Sequence, residues 1–129
     1  MLEAGLTKTL EKTVLPGNTA RAVASGTLDV LATPVVLAYM EEAAMLLAGE
    51  NLDEGMSSVG ISANMKHLAA TPVGMKVSIT AELKEVDRRR LVFYIEARDE
   101  KELIATAEHE RFIVDGEKFQ SKANAKLEA

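Results

Sequence analysis

Three residues carry chemistry that folding alone does not require. Glu41 stands in the run from Thr33 to Ala48 (TPVVLAYMEEAAMLLA), which is apolar on almost every side. A carboxylate there must be paired, protonated or turned toward a cavity, because desolvating an unpaired one is expensive. The plainer account puts Glu41, or its neighbour Glu42, on the one wet stripe of a helix. His67 ends a segment in which Val59, Ile61, Ala63, Met65 and His67 alternate with polar residues. A histidine on such a face is either a core residue with one satisfied nitrogen or an acid–base group aimed inward. The second histidine, His109, reads as a core residue. Thr33, ahead of Pro34, is explained by helix capping alone.

Eight residues separate Thr33 from Glu41, which is about 12 Å along a helix at ~1.5 Å per residue. Helical side chains lean toward the N-terminus, so the Glu41 carboxylate reaches back toward Thr33, on a stripe shared with Pro34, Ala38 and Met45. The two groups should flank something the size of a carbonyl or an attacking water. A hydroxyl and a carboxylate on either side of such a gap could act on it as nucleophilic or acid–base groups.

The elements that must hold these groups are legible from the period of the apolar residues. Residues 5–14 suggest a first strand, ended by the turn Pro16-Gly17-Asn18. Residues 20–31 show no clear period, with Gly26 breaking them into short pieces. The spacing predicts a helix over 33–48, with Thr33 as N-cap, Pro34 at the first helical position and Gly49 beyond its end. From Ser57 the period becomes two. One strand carries Val59 to His67 inward; a second, after Thr71-Pro72-Val73-Gly74, carries Met75, Val77, Ile79, Ala81 and Leu83. A third carries Leu91, Phe93, Ile95 and Ala97, and a fourth runs roughly from Leu103 to Val114 with apolar residues on both faces. The polar tail, 119–129, is expected to be a frayed helix or disordered.

Short turns between strands imply antiparallel neighbours. A sheet with one apolar face and a helix that is apolar all round satisfy each other when the sheet wraps the helix. The expectation is therefore an α+β hot-dog fold: a single domain over 1–129, with an antiparallel sheet around a long central helix. Such a sheet leaves an exposed edge strand, and an edge-to-edge homodimer is the natural way to cover it.

Composition removes several function classes. With no cysteine among 129 residues, disulfides, thiolate catalysis and cysteine-held zinc are excluded, and a reducing cytoplasm is the expected setting. Two histidines without a tight acidic cluster make a weak metal site, so neither a metal nor another cofactor is expected. A net charge of −5 argues against nucleic acid as a partner. The basic run Arg88-Arg89-Arg90 reads as a solvated turn. Met1 to Leu10 lacks a secretory pattern, and Pro34 to Ala48 is too short to span a bilayer and holds two glutamates, so no membrane role is expected.

The run Leu31-Ala32-Thr33-Pro34, followed by Met40-Glu41-Glu42-Ala43-Ala44, resembles the fluoroacetyl-CoA thioesterase-like branch of the hot-dog superfamily. So do Ser58-Val59-Gly60-Ile61, His67-Leu68-Ala69, Thr71-Pro72-Val73-Gly74-Met75, His109-Glu110-Arg111-Phe112 and Val114-Asp115, a likeness covering about residues 20 to 115. The resemblance implies an acyl-CoA thioesterase with Thr33, Glu41 and His67 as the catalytic set and Gly60 and Arg111 near the bound acyl-CoA. It further implies a homodimer or dimer of dimers with the acyl group at the subunit interface. A hot-dog dehydratase or hydratase, or a non-catalytic acyl-CoA binder, are the rival readings. Residues 20–31, near the expected pocket mouth, contain no aromatic residue, so selectivity for one unusual acyl group is not expected.

Overall fold

The computed structural model describes residues 1–128. Five strands form one antiparallel sheet: β1 (Thr7–Thr13), β2 (Met56–His67), β3 (Lys76–Asp87), β4 (Arg90–Asp99) and β5 (Leu103–Asp115). Their order across the sheet is β1-β3-β4-β5-β2, so β1 and β2 are its two edges. The long helix α1 (Thr33–Gly49) lies against the inner face, and a short helix α2 (Gly116–Asn124) follows β5. This is the α+β hot-dog arrangement expected from the pattern. The tail is helical through Asn124, with a further 3-10 turn over Ala125–Leu127.

The alternation is realised from Val77 to Leu83 in β3 and from Leu91 to Ala97 in β4, whereas Met75, expected on the same face, lies just ahead of β3 and is half-buried. Val77, Ile79, Ala81 and Leu83 of β3 and Leu91, Phe93, Ile95 and Ala97 of β4 have no solvent exposure, and they pack on Val36, Met40, Ala43, Ala44 and Leu47 of α1. Full burial of a large apolar side chain contributes about 1.5–3 kcal/mol relative to exposure, so this shared core fixes α1 against the sheet.

Not all of α1 is covered. Pro34, Ala38 and Met45 stay exposed along one stripe, with half-buried Glu41 among them. Thr33 is not the N-cap. Ala32 takes that position, without a side-chain hydrogen bond, and Thr33 starts the helix with Pro34 behind it. Gly49 is itself the last helical residue, and the chain leaves through Glu50 in right-handed helical geometry.

Two edge features matter for the site. The β2–β5 register pairs Gly60 with Arg111 but Ser62 with Glu110, so Ile61 is an extra residue in a β-bulge. The bulge overturns the expected single apolar face of β2. Ser58 and Gly60 face α1 before it, Ala63, Met65 and His67 after it, and Ile61 is 53% exposed. After a 3-10 turn over Pro16–Asn18, residues 19–32 form no helix or strand; bridges from Thr19 to Leu31 and from Val30 to Pro72 tie them down.

Candidate active site

Chemistry-bearing side chains gather at two places along β2. At its C-terminal end, the Thr33 hydroxyl and His67 Nδ1 lie 2.7 Å apart. They meet because β2 ends beside the first turn of α1, and the Thr33 hydroxyl, free of capping, turns to the ring. His67 Nε2 is buried and has no hydrogen-bond partner. When the hydroxyl donates to Nδ1, the ring proton sits on Nε2, leaving an N–H for an incoming carbonyl or departing thiolate. Burial pushes the His67 imidazolium below its ordinary value, so the ring is neutral at neutral pH. Thr33 and His67 border a cavity of about 350 Å3 whose other walls include Leu31, Leu68, Ala69 and residues of the 20–30 loop.

The helix end offers this cavity little as an oxyanion site. Val35 and Val36 both donate to the Ala32 carbonyl and Pro34 has no N–H, so only the Thr33 amide of the first turn is left.

The second place is the bulge. Glu41 projects from the middle of α1 to Gly60. A Cβ at Gly60 would lie 3.2 Å from Glu41 Oε2, 3.2 Å from His109 Cε1 and 3.6 Å from Arg111 Nη1. The missing side chain thus leaves a methyl-sized gap ringed by a carboxylate, an imidazole and a guanidinium.

Arg111 is 6% exposed and His109 2%. Arg111 donates from Nε to the Ser58 hydroxyl (2.8 Å) and from Nη2 to the Ser58 carbonyl (2.9 Å). Its Nη1 lies 3.2 Å from His109 Nε2, and His109 Nδ1 lies 2.8 Å from the Ser62 carbonyl. A carbonyl only accepts and a guanidinium only donates, so the proton is on Nδ1 and Nε2 is the acceptor. Burial pushes the His109 imidazolium down, and the Arg111 charge adds to it.

Thr33 and His67 come together as expected, and Glu41, Gly60 and Arg111 also come together. The two groups do not meet within one protomer. Gly60 and His67 are seven positions apart on β2, about 20 Å at ~3.3 Å per residue. Within one chain Thr33 contacts His67, while Glu41 lies beside Gly60.

His109 exceeds its sequence reading as a plain core residue. The signal for it was the continuation of the buried face Ala105 and Ala107 through positions 109 and 111, a period of two that places the imidazole and guanidinium side by side. Ser58 and Ser62 gave no such signal, because only the bulge brings Ser58 and the Ser62 carbonyl to that network. Lys76 pairs with Glu11, and Arg90 with Glu85 and Glu110.

The family described as Fluoroacetyl-CoA-specific thioesterase matches residues 14–117. The chain belongs to this family. A curated Fluoroacetyl-CoA thioesterase from Streptantibioticus cattleyicolor is 37% identical over 101 residues, 78% of this chain and 73% of that protein. A crystal structure of the fluoroacetyl-CoA thioesterase superposes with a TM-score of 0.92 at 32% identity, covering 98% of both chains. A mutant of the fluoroacetyl-CoA-specific thioesterase, solved in complex with fluoroacetate and CoA, matches with a TM-score of 0.87 at 32% identity, covering 92% of this chain and 99% of that one.

For this member of the family, Gly60→Ala is a sharp probe of the bulge. The backbone is not left-handed there and only side-chain atoms crowd the new Cβ, so melting temperature should barely move. Glu41 and His109 must each give by a few tenths of an ångström. Displacements of this kind at a reacting group cost about ten- to a hundredfold. Steady-state kinetics beside a thermal melt checks both halves; unchanged kcat/KM would show that the gap is not used.

Proposed function

We propose that this protein is an acyl-CoA thioesterase that hydrolyses small acyl-CoA thioesters to the free acid and CoA, with its site completed across a homodimer. The observation that carries this reading is the distribution of polar groups along β2: a carboxylate beside Gly60 at one place, and a hydroxyl–imidazole pair at His67. β2 is a free sheet edge, and the uncovered stripe of α1 lies beside it. Pairing two copies of β2 antiparallel about a two-fold near Ala63 and Asn64 places Glu41 of one protomer opposite the partner's His67 and covers both surfaces.

In that arrangement Glu41 takes a proton from water, and the resulting hydroxide adds to the thioester carbonyl carbon. Collapse of the adduct breaks the C–S bond; His67 Nε2–H hydrogen-bonds the departing CoA thiolate, which takes the proton that Glu41 removed from water, so both side chains return to their starting states. Thr33 holds His67 in the required tautomer, and Arg111 stands at the acyl carbonyl. Every group the reaction needs is a side chain, without a metal or cofactor.

The cavity mouth, formed by Ala20, Ser25, Val30 and Leu31, has no aromatic gate, which favours breadth over short acyl groups. The phosphates of CoA fit the groove where Arg89, Lys118 and Lys122 flank Phe112 and Phe119; none of the three cations is ion-paired among the described residues. No described helix is long and apolar enough to cross a membrane, and a cytoplasmic setting belongs to this reading.

The test is release of free thiol from a panel of acyl-CoA substrates from acetyl upward. Hydrolysis favouring short chains is expected. Ligand-induced stabilisation without turnover would make the protein a binder, and water addition without thiol release would make it a hydratase.

A further inference from the structure

Arg111 has a supporting residue that the proposed reaction does not name. The β2 bulge turns the Ser62 carbonyl to His109, which lies on the neighbouring strand paired with Ala63. Receiving the Nδ1–H there leaves the His109 lone pair on Nε2, where Arg111 Nη1 meets it at 3.2 Å. Nη1 is also the guanidinium atom at the edge of the Gly60 gap, 3.6 Å from the vacant Cβ position. One N–H of Nη1 is therefore held by the imidazole while the other remains available. Ser58 takes Nε and one N–H of Nη2, so the guanidinium is tied on three of its five donors. The ring itself is fixed by burial and by Phe93, whose centroid is 6.3 Å away.

We propose that His109 is a positioning residue: held by the Ser62 carbonyl at the bulge, its Nε2 accepts from Arg111 and sets the free N–H of Nη1 at the gap beside Glu41. The proposal rests on the thioesterase reading of that gap. Its physical content is that an acceptor is needed at one place. Any group that lacks an acceptor there leaves the planar guanidinium held from the Ser58 side alone, so that it can tilt as a unit and bring Nη1 closer to the Glu41 carboxylate, weakening the base and moving the N–H off the carbonyl site. A protonated ring would do the same, since Nε2–H cannot accept.

The test uses substitutions that separate the two ring nitrogens. In His109→Gln the side-chain oxygen reaches the level of Nε2 and keeps an acceptor for Arg111. In His109→Asn the amide reaches only Nδ1 and keeps the Ser62 contact alone. His109→Phe keeps ring volume and neither bond. The expected order of kcat/KM on acyl-CoA is wild type, then Gln within a few-fold, then Asn and Phe at a tenfold loss or more, even where Asn melts no lower than Gln. In an Arg111→Lys background, His109→Asn should cost nothing further, because there is no guanidinium left to place.

Activity that follows melting temperature across the three variants, or losses that multiply in the double variant, would overturn the proposal. A readout independent of turnover separates this from failure of the thioesterase reading. Imidazole 15N shifts should show His109 protonated at Nδ1 and accepting at Nε2, with the Nε2 shift changing in Arg111→Lys. A ring protonated at Nε2 instead would also sink it, whatever the enzyme does.

Discussion

Glu41→Gln is expected to keep the fold and assembly state of the wild type and to lose about two orders of magnitude or more in kcat for acyl-CoA hydrolysis. Glu41 forms no hydrogen bond or ion pair with its own protomer among the described residues, whereas its neighbour Glu42 is bound to Lys12 at 2.8 Å. The Glu41 charge favours buried Arg111 only through space, and its removal also relieves a desolvation cost, so the two effects oppose each other and the melt should move little. Glutamine keeps the volume beside Gly60 but cannot take a proton from water, so the loss should fall on turnover. Gel filtration, a thermal melt and a thiol-release assay on one preparation decide it. A variant that stays folded and hydrolyses acyl-CoA at the wild-type rate would remove Glu41 from the reaction.

The fold was largely readable because its driving pattern is simple. The alternations in β3 and β4 face one buried surface without interruption, and a period of two leaves no freedom there. The helix was equally plain, since apolar residues all round have to be buried. Pattern reading failed where one residue changes the count. Ile61 looks like the centre of an apolar face from Val59 to His67, yet as the extra residue of a bulge it points out and brings Ser58 and Gly60 in. Nothing local forecasts that shift, because it answers to pairing with β5.

The site inherited the same limit. Position alone offered Thr33 as a cap, which it is not, and left His67 between core and site; the family resemblance named the two together. The His109–Arg111–Ser58 network needed the register of two strands before it existed. Gly60 shows the gain from structure best, as its role lies in the atom it lacks.

Separation of the two clusters within one protomer makes a second large effect testable. Glu41→Gln and His67→Ala dimers should each be nearly inactive, since each lacks one member of both sites. A mixed dimer carrying Glu41→Gln in one subunit and His67→Ala in the other is different when the site spans the interface. One of its sites is damaged twice, while the other joins an intact Glu41 to an intact pair of Thr33 and the partner's His67. Co-expression with two affinity tags and purification through both should give mixed dimers with roughly half the wild-type activity, as two-fold symmetry leaves one of two sites whole. That is a recovery of more than tenfold over either parent. Sites confined to single protomers would predict no recovery, because every one of them would then carry a lesion. Mixed dimers as inactive as the parents would end the interfacial reading and return the reaction to Glu41 and His67 of one protomer.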